Sequence, residues 1–529
     1  MPGPGRKRKE TGNQFESLIG QGERRNQEPM MADLMHDMDH LEKKHSRFGG
    51  SALQSSQEYQ NVQQALGNVT FDMNSSFTND VAANEKMVTQ AIRNYYRLLA
   101  ACEAYIAKPG GKSLSGRARK SKVKEIQKYA QRDLMGIEQV FFAMKSMDGT
   151  QQSSLNWDEI LHSARIEKIE VEDYSSLQKL KANNKSDANA GRLMKEGVFT
   201  PETKGKVKDL NFKATAFNDS SIDQIIAEGG ELNASNRNVA TSRVANLIGL
   251  GSIVEQSRSV EVQSKGEKIK GNMMTFARGK DTKKRTVEDV RPITQKMDTL
   301  EEREAYAKAM LSPTLQKEVS SLQVLDYLCG QGDRHTGNFF SEMENGKLTH
   351  IHGIDNDMAF GTGVDMEARL RADKGYHNTK QKMVVDSGNN LIIAHMDKQL
   401  AMNISDLKEA ELRFVLKDLI EPVYLEATIE RFKKLKEAVK KELANPRSRV
   451  LLNEGEWNES THDDFIKQSR LGLHYKNTGD DAFMHKSGGA YIGMTPEERY
   501  EVSKGDSYYS ELVMEMMGFW EQQQYFKKI

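Results

Sequence analysis

The sequence predicts an α+β fold in which two lobes follow a helical N-terminal extension, and three observations carry that reading. Short extended pieces at 192–195, 197–200 and 210–217, punctuated by glycines and charged turns, have the composition of a small antiparallel sheet. A helix over 235–248, carrying Val239, Val244, Ala245, Leu247 and Ile248, is followed by strands at 259–263 and 272–276. Beyond them the chain turns mostly helical, with apolar residues at core-like intervals over 315–328 and 407–443.

In chain order, residues 1–83 are polar and rich in Gln, Asn, Ser and Gly. They offer little continuous apolar surface to offset the entropy of ordering, so a flexible or loosely packed region with short helices is expected. Residues 84–180 read as a helical extension. Over 84–107, Met87, Ile92, Tyr95, Leu98, Leu99, Cys102, Ala104 and Ile106 form an uneven stripe that Lys108-Pro-Gly-Gly111 stops. Over 119–147, Val123, Ile126, Tyr129, Leu134, Ile137, Val140, Phe141 and Met144 face inward, and the lysines and arginines between them form the wet side of a helical hairpin or a surface for an acidic partner. Residues 181–280 hold the small sheet, its helix and the two returning strands. Residues 281–529 form the helical body, where Pro422 separates or kinks two helices, a polar insertion runs near 445–500, and Leu512, Val513, Met516 and Met517 dock a last helix on the core.

Composition narrows the function classes. The 529 residues carry 76 basic and 76 acidic side chains, a net charge of +0, so no specific nucleic-acid surface is indicated. Arg6-Lys-Arg-Lys9 is a local exception that reads as a solubilising tail or a contact for an anionic surface. The only cysteines, Cys102 and Cys329, lack metal-ligand spacing. No apolar signal-peptide run and no stretch of transmembrane length occur, so a cytoplasmic protein is expected, with secretion lacking a cleaved signal left open.

The segment Asp333-Arg-His-Thr-Gly-Asn338, followed after a hairpin-length interval by Gly353-Ile-Asp-Asn-Asp357, concentrates the chemistry. Its spacing suits phosphoryl transfer. Asp333 can orient an acceptor hydroxyl, while the amide oxygen of Asn338 and the carboxylate of Asp355 can hold Mg2+ on nucleotide phosphates. Asp357 can hold a second metal or fix the local loop. His335 can donate to Asp355 or to a phosphate oxygen, or make a structural hydrogen bond within its own loop, and Asp326 can anchor that loop or be an ordinary helix-surface carboxylate. Any one of these residues alone reads as a turn cap.

Asp333-Arg334-His335 with Asn338, and Ile354-Asp355-Asn356-Asp357-Met-Ala-Phe360, resemble the catalytic and metal-binding segments of the phosphatidylinositol 3-/4-kinase-like superfamily. The second segment is especially similar to type II phosphatidylinositol 4-kinases and to atypical protein kinases such as actin-fragmin kinase. The resemblance covers about 190–445 and implies a bilobal protein-kinase-like fold, with 181–280 as N-lobe and 281–529 as C-lobe. It implies Asp333 in the catalytic-loop role and Asn338 and Asp355 as metal ligands. Less specifically, 238–251 resembles the N-lobe helix and its turn, and 273–279 the strand and hinge beside adenine, where backbone groups around Thr275 and Ala277 read the base edge. For the cation near the α- and β-phosphates, Lys213 is the positional choice and Lys195 its competitor, with Glu231 as a pairing candidate; either lysine also reads as a solvent-facing strand residue. The chain departs from the kinase pattern at the phosphate-covering loop, where no G-x-G-x-x-G occurs and the nearest polar turn is 183–191.

The expected activity is therefore ATP- and Mg2+-dependent transfer of a γ-phosphoryl group to a protein Ser or Thr hydroxyl. A phosphoinositide acceptor with peripheral membrane contact is the first alternative. A nucleotide-binding scaffold and a protein nucleotidyltransferase are the others.

Overall fold

A computed structural model describes residues 34–39, 56–72, 78–108, 114–145, 152, 168–173, 177, 192–194, 197–202, 234–277, 313–331, 339–344, 347–360, 384–386, 391–393, 395–448 and 450–457. The chain divides into two compact units, Met1–Arg165 and Ile166–Ile529.

In the first unit the apolar stripes become three helices, α1 (Gln57–Asp72), α2 (Val81–Ala107) and α3 (Leu114–Met144), with α1 and α3 both packed on α2. Helix α1 falls in the region expected to be loosely packed, yet it buries Tyr59, Val62, Leu66 and Val69. These four stand at i, i+3, i+7 and i+10, a one-sided apolar face that the surrounding Gln and Asn mask in a composition count. Asp80 starts α2 by accepting from the Ala83 amide at 3.1 Å. Of the apolar residues expected to face inward on α2, Ile92, Tyr95, Leu98, Leu99 and Cys102 are buried, whereas Ala104 is exposed. On α3, Val123, Ile126, Leu134, Ile137, Val140, Phe141 and Met144 are buried.

The second unit holds a five-stranded sheet, ordered β1-β4-β5-β3-β2, from β1 (Lys168–Glu170), β2 (Arg192–Leu193), β3 (Val198–Pro201), β4 (Ser257–Ser264) and β5 (Glu267–Met274). Among the described strands of this sheet β1 alone pairs in parallel, on β4, so this strand of the expected helical extension belongs to the sheet. Helix α4 (Ala234–Ile248) packs on β4 and β5. Helix α5 (Pro313–Cys329) leads toward the Asp333 segment and packs on a separate hairpin, β6 (Phe339–Glu344) with β7 (Lys347–Gly353). Val254 bridges Gly353 in parallel, and the Glu255 amide donates to the Gly353 carbonyl at 2.9 Å, so the segment entering β4 is tied to the end of β7. Further on come a small hairpin, β8 (Val384–Asp386) with β9 (Leu391–Ile393), and then β10 (Met396–Asp397), which pairs with β11 (Leu451–Leu452).

Helices α6 (Lys398–Asp406), α7 (Glu409–Leu416) and α8 (Pro422–Leu443) follow, and Pro422 separates the last two by opening α8, where its missing N–H costs no hydrogen bond. Leu412, Val415, Leu416, Ile420, Leu425, Ile429 and Phe432 are buried as their spacing predicts. The expected strand at 210–217 and the last helix with Leu512 and Met516 lie outside the described residues, as does the part beyond Trp457 of the polar insertion expected near 445–500; its first part instead holds β11, with Val450, Leu452 and Trp457 buried. Among the described residues no helix is long and apolar enough to cross a membrane.

Two consequences are measurable. A Cβ on Gly271 of β5 would stand 2.2 Å from the Thr200 carbonyl oxygen and 2.7 Å from the Phe199 ring. Gly271→Ala is therefore expected to lower stability by about 2 kcal/mol in denaturant unfolding, since inserted methyl groups in a packed site cost on the order of 1–3 kcal/mol. Burial pushes the Cys102 thiol up to about 12, which leaves almost no thiolate at pH 8. Iodoacetamide at pH 8 is expected to label Cys102 only after denaturant is added, as mass spectrometry of the peptide would read.

Candidate functional site

The described part of the site is the turn Asp355–Phe360, delivered by β7 and closed by the single 3-10 turn Asn356–Met358. Asp355 adopts left-handed backbone angles, φ 55° and ψ 56°, and Phe360 has φ 64°. An aspartate tolerates this region moderately well, but a bulky phenylalanine does not, and such a conformation costs on the order of 1–3 kcal/mol unless the surroundings impose it.

Several surrounding groups impose it. The Phe360 amide donates to the Cys329 carbonyl at the end of α5, and Gln331 Nε2 donates to the Asp355 carbonyl at 3.4 Å. From α4, Asn238 Oδ1 accepts the Asn356 amide at 2.9 Å, and Arg237 Nη1 donates to the Ala359 carbonyl. Arg237 is only 2% exposed and stacks over the Tyr424 ring at 5.0 Å. Burial lowers its pKa, while the charges of Glu421, Tyr424 and Asp357 act in the opposite sense.

The end of α5 is itself fixed. Gly330 takes φ 60°, its amide donates to the Tyr327 carbonyl at 3.1 Å, and the Gln331 amide donates to the Asp326 carbonyl at 2.8 Å, the paired bonds of a Schellman cap. Arg431 of α8 adds its Nε to the Leu328 carbonyl at 3.1 Å, a cation at the negative end of the helix. A Cβ on Gly330 would come within 2.7 Å of that guanidinium. The chain thus leaves α5 four residues before Asp333, and its cap residue Gln331 is hydrogen-bonded to the Asp355 turn.

Asp355 is half-buried, whereas Asp357 is buried and lies within the electrostatic reach of Arg237. The two carboxylates therefore meet different surroundings, although the sequence offers both to metal. Asp326 is buried, which removes the reading of an ordinary surface carboxylate. Thr275, just past β5, is also buried, and its amide donates to the Gln256 carbonyl at 2.9 Å. That amide is engaged inside the protein. Asp333, His335, Asn338, Lys195, Lys213 and Glu231 lie outside the described residues.

Sequence reasoning missed a buried group nearby. Glu255 and His352 are fully buried, with Glu255 Oε1 2.8 Å from His352 Nδ1, and His352 Nε2 lies 2.9 Å from Glu342 Oε2. The signal available in the sequence was His350 and His352, two residues apart on one strand ahead of Asp355. His350 is occupied differently, between Glu318 of α5 and the Ser252 carbonyl. Among the described residues no group of three or more His, Cys, Asp or Glu is arranged to hold a metal ion.

Comparison with models of protein families finds no match, and a search of curated proteins finds none either.

Arg237 is the most exacting contact of the site. Arg237→Met is expected to lower stability by roughly 3 kcal/mol, because the Ala359 carbonyl loses its donor and buried Asp357 loses a compensating charge. Equilibrium unfolding checks the value, and a loss under about 1 kcal/mol would show that the turn holds without the guanidinium.

Proposed function

We propose that this protein is an ATP- and Mg2+-dependent phosphotransferase of the atypical kinase type, acting on a protein Ser or Thr hydroxyl. The single observation that carries the reading is the Asp355 turn. A half-buried carboxylate in left-handed backbone sits at the end of a strand, in a turn that also holds Phe360 at a costly positive φ and is hydrogen-bonded to the helix end from which the Asp333–Asn338 segment departs. Costly backbone in a rigidly supported turn beside a carboxylate is a feature of functional sites and gives a fold no stability of its own.

The donor set fits a hard cation. Asp355 offers carboxylate oxygen, Asn338 an amide oxygen, and Mg2+ prefers such ligands together with the phosphates of its nucleotide. The bound metal would neutralise charge on the transferring phosphoryl group. In this reading Asp333 accepts or orients the hydroxyl proton of the acceptor, His335 donates to a phosphate oxygen, and Lys213 or Lys195, the latter next to β2, neutralises the α- and β-phosphates with Glu231 as partner. Asp357 acts as the inward countercharge to Arg237 instead of as a second metal ligand. Further support comes from the order of elements: a small sheet with α4 ahead of β4 and β5, then a helical body, as a two-lobed nucleotide enzyme requires.

Incubation with γ-labelled and α-labelled ATP in the presence of protein and phosphoinositide mixtures tests the reading. The expected result is Mg2+-dependent γ-label on protein, abolished in Asp333→Ala and Asp355→Asn. Label on lipid alone would overturn the protein acceptor. Transfer of α-label alone, or no transfer at all, would overturn γ-phosphoryl transfer itself.

A further inference from the structure

Glu255 stands at a junction of three segments that are remote in sequence. It follows the 3-10 turn Gly251–Ile253 and precedes β4, and its side chain is completely buried. Oε2 accepts the Thr275 hydroxyl proton from the segment just past β5. Oε1 lies 2.8 Å from Nδ1 of His352, on the strand that reaches Asp355 three residues later. This second contact is a close approach off the line of an aligned hydrogen bond. On its far side the imidazole meets Glu342 of β6 at 2.9 Å, and His350 packs edge-on to it with ring centroids 4.9 Å apart. The Thr275 hydroxyl also accepts the Gln256 amide at 3.0 Å.

A fully buried carboxylate is a poor way to gain stability, because its desolvation offsets most of what its partners return. Its best-attested use is to fix one geometry among several. Apolar packing would tolerate small shifts of β7 against the end of β5. A carboxylate with each oxygen assigned to a different segment tolerates them much less.

We infer that Glu255 is a positioning residue for the proposed reaction: through Thr275 and His352 it sets the separation between the 275–277 segment, which meets the nucleotide base, and β7, which delivers Asp355 to the metal. The inference rests on the phosphotransfer reading and adds to it the coupling between the base side and the metal side of the site.

The test is a double-mutant cycle with Thr275→Val and His352→Gln in the full chain, reading KM for ATP, kcat, the Mg2+ concentration for half-maximal turnover, and the unfolding midpoint. Thr275→Val preserves shape and removes only the hydroxyl. His352→Gln keeps an amide for Glu342 and withdraws the group that meets Glu255. Each single variant is expected to raise the Mg2+ requirement roughly tenfold, the lower range for loss of a residue that orients a metal ligand, with kcat at saturation within about threefold. The double variant is expected to be no worse than the more severe single one, because both act through the same carboxylate. Glu342→Gln, which still presents an acceptor to the imidazole, is expected to leave the Mg2+ requirement within about twofold.

A Thr275→Val protein with a lowered unfolding midpoint and the wild-type Mg2+ requirement would overturn the inference, since that is what a purely structural hydroxyl predicts. Independent, multiplicative effects of the two substitutions would overturn it as well. Asp355→Asn separates the two levels: its loss of turnover with no Mg2+ shift in Thr275→Val sinks the coupling alone, and wild-type turnover in Asp355→Asn sinks the phosphotransfer reading and the coupling with it.

Discussion

The second unit depends on the burial of a helix that is polar on nearly every side. Helix α4 hides Ser235, Arg237, Asn238, Thr241, Ser242 and Asn246 together with Val239, Val244, Ala245, Leu247 and Ile248. Each polar group removed from water needs a partner, and the partners come from many places. Arg237 and Asn238 hold the Asp355–Phe360 turn; Ser242 bonds the Glu255 carbonyl and accepts the Ser257 amide; Asn246 donates to the Gln256 side chain. Past the helix end, Asn403 of α6 donates to the Ile248 carbonyl at 3.0 Å. A helix satisfied this way has one seat, because sliding it by a turn would orphan several buried groups at once.

The consequence for the site is rigidity from two sides. Helix α4 approaches the turn with a guanidinium and an amide, and α5 approaches it with a carbonyl and the Gln331 side chain. Left-handed angles at Asp355 and Phe360 persist because these contacts over-determine them. The first unit follows the same principle on a smaller scale. Lys145 and Glu85 are both buried and 3.7 Å apart, and Asn84 donates to the Thr78 carbonyl and to Gln152. Such contacts select a packing arrangement more than they add stability.

Periodicity located most of the described elements because burial acts on one face at a time. Strands β4, β5 and β7 and helices α2 to α5, α7 and α8 carry enough Val, Ile and Leu at the right intervals, or enough punctuation by Gly and Pro, to be read in one dimension, whereas α6 lies ahead of the helical run expected over 407–443. Helix α1 escaped because its buried Tyr59, Val62, Leu66 and Val69 stand among Gln and Asn residues, and a composition count averages over the two faces. Strand β1 escaped because three residues set in a polar stretch have no pattern of their own until β4 pairs with them. At the site, Asp355 was legible from its neighbours in the motif. The opposite surroundings of Asp355 and Asp357 were not, since they arise from Arg237, more than a hundred residues away.

By itself the sequence determined the order of small sheet, helix and helical body, the apolar faces, and the cluster of oxygen-bearing side chains from Asp333 to Asp357. Those are properties of spacing and side-chain type, which a chain carries before it folds. Only the tertiary structure decided that the polar side of α4 is interior, that the Thr275 amide is bound to Gln256, and that Glu255, His352 and Glu342 meet. The physical reason is that a polar side chain reads as solvent-facing in one dimension. It becomes structural only when a partner from a distant segment replaces the water it has lost.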